Sequence, residues 1–106
     1  DEIRGSLQTQ MLQLLIDEAD YCLEIHALYE AEIYYRRALT LDSFDERAHR
    51  GIMQCRALRD DRAGAIRQFN ECARILAEEL DVEPSPETYA LYERIRSGAP
   101  VPSPQR

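Results

Sequence analysis

Ala31-Glu32-Ile33-Tyr34-Tyr35-Arg36-Arg37-Ala38-Leu39-Thr40-Leu41 is followed, 34 positions later, by Ala65-Ile66-Arg67-Gln68-Phe69-Asn70-Glu71-Cys72-Ala73-Arg74-Ile75. Ala31 falls on Ala65, Tyr35 on Phe69, Ala38 on Cys72 and Leu41 on Ile75. Small, aromatic, small at i, i+4 and i+7 suits a tight helix pair. Small side chains let two backbones approach, and the ring fills the gap between neighbouring pairs. The repeat therefore predicts helical hairpins related by a fixed translation along the chain.

Working outward, Gly5, Gly51 and Gly64 are the glycines before residue 84, and Ala, Leu, Glu, Arg and Gln dominate between them. These are good helix formers. The apolar spacing predicts five helices. The first covers about 3–27, with Leu7, Met11, Leu14, Leu15, Ala19, Cys22 and Leu23 as its core face. The second, 29–42, buries Ala31, Tyr35, Ala38 and Leu39. The third, 44–59, is expected to open with a capping box in which Ser43 accepts from the Glu46 amide and the Glu46 carboxylate reaches back. The fourth, 62–80, buries Ala65, Ile66, Phe69, Cys72, Ala73 and Leu76. In Glu83-Pro84-Ser85-Pro86-Glu87, Ser85 reads as the cap of a fifth helix, with Pro86 at its first position and Gly98 as its stop. His26, Asp60 and Asp81 stand at the turns, where the left-handed backbone is needed and Asp or His tolerates it. Gly98-Ala99-Pro100-Val101-Pro102-Ser103-Pro104 reads as a tail that packs nothing. The expected division is a domain over 1–97 and a Pro-rich tail or linker over 98–106.

The 106 residues leave room for one core. Twenty acids against 13 bases, all arginine, give a net charge of −7, which argues against direct nucleic-acid binding. No apolar run approaches the ~20 residues of a membrane span. The opening Asp1-Glu2-Ile3-Arg4 suggests a fragment of a longer cytoplasmic protein. Cys22, Cys55 and Cys72 match neither a zinc motif nor a disulfide framework.

A period of 34 with this pattern on the second helix of each pair resembles the tetratricopeptide repeat. The stretch Leu76-Ala77-Glu78-Glu79-Leu80-Asp81-Val82-Glu83-Pro84-Ser85-Pro86-Glu87-Thr88, then Ala90-Leu91-Tyr92-Glu93-Arg94-Ile95, resembles the closing signature of the bacterial transcriptional activator domain. Tyr35-Arg36-Arg37-Ala38-Leu39, Leu41-Asp42 and Arg47-Ala48-His49-Arg50 agree with it upstream. Asp81, Ser43 and Arg56 depart from it, at positions where that family usually carries glycine, proline and a large apolar residue. The resemblance implies an all-α right-handed stack of two tetratricopeptide-like hairpins closed by a capping helix. It also implies a non-catalytic, cytoplasmic interaction module of a larger transcriptional regulator. The partners it implies are the other domains of the parent protein, a second copy in a homodimer, and the transcription machinery. A generic tetratricopeptide scaffold or adaptor unrelated to transcription is the alternative.

Individual residues add little chemistry. Glu46-x-x-His49 has the spacing of half a di-iron site but no second pair, so no metal is expected. The thiols read as structural, with Cys55 nearest the surface. No serine elbow and no Gly-rich phosphate loop occurs, so no catalytic residue and no cofactor is expected. Arg56 reads as a side chain whose stem packs while its head reaches a surface acid. The repeat register places Gln13, Ile16, Asp20, Glu24, Arg47, Arg50 and Gln54 on a concave groove for a protein partner. Residues 47–74 hold seven arginines against Asp60, Asp61 and Glu71, which suits an acidic segment or a second copy. Two hairpins are fewer than the ~3 repeats that bury a continuous core. An exposed apolar edge containing Leu7, Leu12 and Ile16 is therefore expected to seek a partner.

Overall fold

The computed structural model describes residues 2–102. It contains five helices and, among the described residues, no strand: α1 (Glu2–Glu24), α2 (Leu28–Leu41), α3 (Glu46–Leu58), α4 (Arg62–Leu80) and α5 (Pro86–Ser97). α1 with α2 and α3 with α4 form successive hairpins, and α5 closes the stack against α3 and α4. Residues 103–106 of the expected tail lie outside the described residues.

The turns after α1, α3 and α4 each place one residue in the left-handed region, whereas the turn between α2 and α3 has none. His26, Asp60 and Asp81 have φ of 65°, 67° and 54°, and Gly98 caps α5 at 79°. Asp81 thereby does the work of the family's usual glycine. Ser85 caps α5 by accepting from the Thr88 amide, with Pro86 at the first position. The start of α3 differs from expectation. Asp45 is its cap and accepts from the Arg47 amide, while the Glu46 carboxylate points away to α5. A carboxylate at the true boundary outcompetes a hydroxyl two residues earlier, and Asp42 accepts from the Phe44 amide to shape the turn.

The repeat is reproduced in packing. Tyr35 is buried between α1, α2 and α3, and Gly51 lets α3 lie directly on its ring. Phe69 stacks on Tyr92 of α5 at 4.1 Å and tilts against Tyr89 at 5.4 Å. In both cases the first helix of the following unit covers the ring. The interior divides into two clusters. One joins Ile16, Ala19 and Leu23 of α1, Tyr35 of α2 and Ile52 of α3. The other joins Met53 of α3 to Ala65, Phe69, Leu91 and Ile95.

α1 corrects the expected face. Leu12 and Leu15 pack on the core and Ile16 is only 3% exposed, whereas Leu7, Met11 and Leu14 face solvent. The helix carries two apolar stripes, and α2 docks on the one formed by Leu12, Leu15, Ile16, Ala19, Cys22 and Leu23. The tail is corrected as well. Val101 packs on the second cluster, and the Pro100 and Pro102 carbonyls accept from Arg94 and Gln54.

Candidate interaction surface

The concave side of the stack carries an open groove of about 350 Å³. Four of the expected groove residues line it: Asp20 from α1 and Arg47, Arg50 and Gln54 from α3. Gln13 stands beside them, accepting from Arg47 at 2.9 Å and donating to Asp17. Ile16 does not belong to the groove, because it is core. Glu24, exposed at the end of α1, is not part of the groove wall. The register missed the other half of the site, where Glu87, Ala90, Leu91 and Arg94 of α5 and Pro102 of the tail complete the wall. Glu87, Ala90 and Arg94 follow i, i+3, i+7 spacing, a helical face visible in the sequence once α5 is placed opposite α3.

Most charges here are already matched. Arg47 forms a fork on Asp45 at 3.0 and 2.7 Å. Burial would raise the Asp45 carboxyl, but the Arg47 guanidinium outweighs it and holds the group below its usual range. The Tyr35 hydroxyl donates to Asp20, and burial followed by that bond pushes the phenol well up. Thr88 donates to Glu46 at 2.6 Å and accepts from Arg50 at 3.0 Å, while the Ser85 amide also donates to Glu46 at 2.9 Å. This network clamps the start of α5 to the start of α3. Burial opposes ionisation of Glu46, yet the bonds from Thr88 and Ser85 keep its carboxyl lowered. The guanidinium groups contributed by α3 to the groove are thus held within the chain, Arg47 by Asp45 and Gln13 and Arg50 by Thr88 and Glu87.

His49 is engaged as structure. Its Nε2 donates to the Ser43 carbonyl at 2.9 Å, and its Nδ1 accepts from Gln68 at 2.8 Å. Both ring nitrogens and the Glu46 carboxylate are therefore taken by protein partners.

Arg56 reaches an acid as expected, but that acid lies between helices and not on the open surface. Its guanidinium holds Glu32 of α2 at 3.2 and 3.1 Å and donates to the Gly64 carbonyl of α4. Arg59 adds a bond to Glu32 at 3.0 Å while lying over the Tyr29 ring, and Arg36 adds another at 3.0 Å. Burial would raise the Glu32 carboxyl, but these three arginines bring it down to about 2.

The three cysteines are free and buried, and Cys55 is fully buried instead of nearest the surface. Burial pushes the Cys55 and Cys72 thiols up to about 12 from 9.0, and also raises Cys22. Three pH units lower the thiolate fraction about a thousandfold, and the thiolate is the nucleophile. A colorimetric disulfide reagent is expected to label none of the three in the native chain and all three in denaturant. A thiol that reacts quickly without denaturant would contradict this.

The opposite side of α1 is apolar and uncovered. Ile3, Leu7, Met11, Leu14 and Tyr21 of α1, with Ile25 just past its end, lie along one side, each 46–75% exposed, with the exposed Glu18 between Leu14 and Tyr21. Among the described residues no helix is long and apolar enough to cross a membrane.

Compared with known proteins, residues 2–96 match the family model of the bacterial transcriptional activator domain. No curated protein and no solved structure gives a match.

Proposed function

This chain belongs to the bacterial transcriptional activator domain family, and from that premise we propose that it is a non-catalytic protein-interaction module of a larger cytoplasmic regulator. Its work is to hold other domains of that polypeptide, a second copy of itself, or the transcription apparatus in a defined geometry. DNA reading is assigned to another part of such a regulator, since this chain carries a net charge of −7.

The observation that carries the reading is the α1 stripe. Its six side chains expose on the order of 700 Å², close to the ~800 Å² that each partner contributes to a standard protein interface. Residues 2–11 are exposed all around the helix, so the stripe projects beyond the hairpin that α1 makes with α2. A second copy presents the same helix and can bury the stripe by two-fold symmetry.

Sedimentation of the chain is expected to show concentration-dependent dimers. Leu7→Glu combined with Leu14→Glu should leave monomers of unchanged helix content, because neither side chain contributes to the core. A wild-type monomer at every concentration would remove the second copy from the list of partners.

A further inference from the structure

The tail after Gly98 lies on the concave face in an ordered way. Arg94 Nε donates to the Pro100 carbonyl and Gln54 Nε2 to the Pro102 carbonyl, both at 2.8 Å. Between them Val101 turns inward and packs on the cluster of Met53, Ala65, Phe69, Leu91 and Ile95. Alternate carbonyls are therefore held by side chains of α5 and α3, and the intervening aliphatic side chain is the anchor. The two prolines bring no N–H to the surface and hold the segment extended, so little order is lost on docking.

Ala99 belongs to the cap of α5, its amide donating to the Arg94 carbonyl, whereas Pro100, Val101 and Pro102 are held by side chains of α3 and α5 that an unconnected segment could also engage. We propose that the concave face between α3 and α5 is a docking site for an extended protein segment with an aliphatic residue flanked by prolines, and that residues 100–102 occupy it in cis. A partner segment of the same chemistry binds by displacing the tail. The groove beside Pro102, with Arg47 and Arg50 on its wall, continues the track past the second proline. This face uses different residues from the α1 stripe, so the two ideas stand or fall separately.

Tethering determines what a titration should read. A short linker holds the tail at an effective concentration in the millimolar range, so a free peptide competes poorly with it. A labelled peptide with the sequence of residues 99–103 is expected to bind the wild-type chain weakly by fluorescence anisotropy. Val101→Asp, which places a carboxylate against the apolar cluster, should expel the tail and tighten peptide binding roughly tenfold or more. Val101→Gly, which removes the anchor without adding charge, should tighten it in the same direction. Adding Gln54→Ala to either variant should weaken the peptide again, with the circular dichroism unchanged. Affinity equal to wild type in both Val101 variants, or indifference to Gln54→Ala, would overturn the proposal.

Discussion

Gly51→Ala is expected to destabilise the domain by about 2 kcal/mol and lower its melting temperature by about 10 °C. On an exposed helix the same change would stabilise by up to ~1 kcal/mol, because glycine is a poor helix former. Here the new methyl group would overlap the Tyr35 ring, the nearest group to that position. The ring cannot retreat. It is buried in the first cluster, and its hydroxyl is held by Asp20. Overpacking therefore outweighs propensity. Thermal unfolding of Gly51→Ala, Tyr35→Leu and the double variant checks the cause as well as the sign. If the overlap is responsible, the alanine should cost much less once the ring is gone, and an unchanged or raised melting temperature in the single variant would refute the contact.

Glu32→Gln should be worse, costing about 3 kcal/mol, because it leaves Arg56 and Arg59 facing each other without their shared anion. The interaction sits between helices, with side-chain exposures of 13% for Glu32 and 14% for Arg56, so solvent screening weakens it only partly. It also has a pH signature. The folded carboxyl is held at about 2, against an ordinary 4.5, so the unfolded chain takes up the proton first. The stabilisation is complete above about pH 4.5 and disappears as pH falls toward 2. Denaturant midpoints measured from neutral to acid pH should converge for wild type and Glu32→Gln within that window. Curves that stay parallel would show that Glu32 is not the group responsible.

What could be read from the sequence depended on how many solutions each segment allowed. α2 and α4 each carry one apolar stripe, so their buried faces follow directly from spacing. α5 announces itself through Ser85-Pro86 and Gly98, where backbone chemistry leaves few choices. α1 has two stripes a fraction of a turn apart, and periodicity alone does not say which one α2 takes. Ser43 and Asp45 compete for one cap, and the outcome depends on Glu46 being drawn to Ser85 and Thr88, a contact across 39 to 42 residues. The groove was half legible for the same reason. Repeat register places Asp20, Arg47, Arg50 and Gln54, whereas the wall from α5 and the tail depends on where the capping helix docks. Prolines in that tail read locally as breakers, and only tertiary contacts show them holding an extended segment in place. Arg56 was legible in kind, a charged head with a packed stem, but its acid lay 24 residues upstream on another helix.

α3 is the one helix among those described with fully buried side chains in both apolar clusters: Ile52 looks one way and its neighbour Met53 the other. It behaves as a party wall between two rooms. A disturbance admitted on one side, whether a second copy settling on α1 or a tail leaving α5, reaches the other only by shifting this partition. Both rooms thus share the same thirteen residues as a common wall, so a cavity or an overlap opened in that helix is felt by the packing on each side.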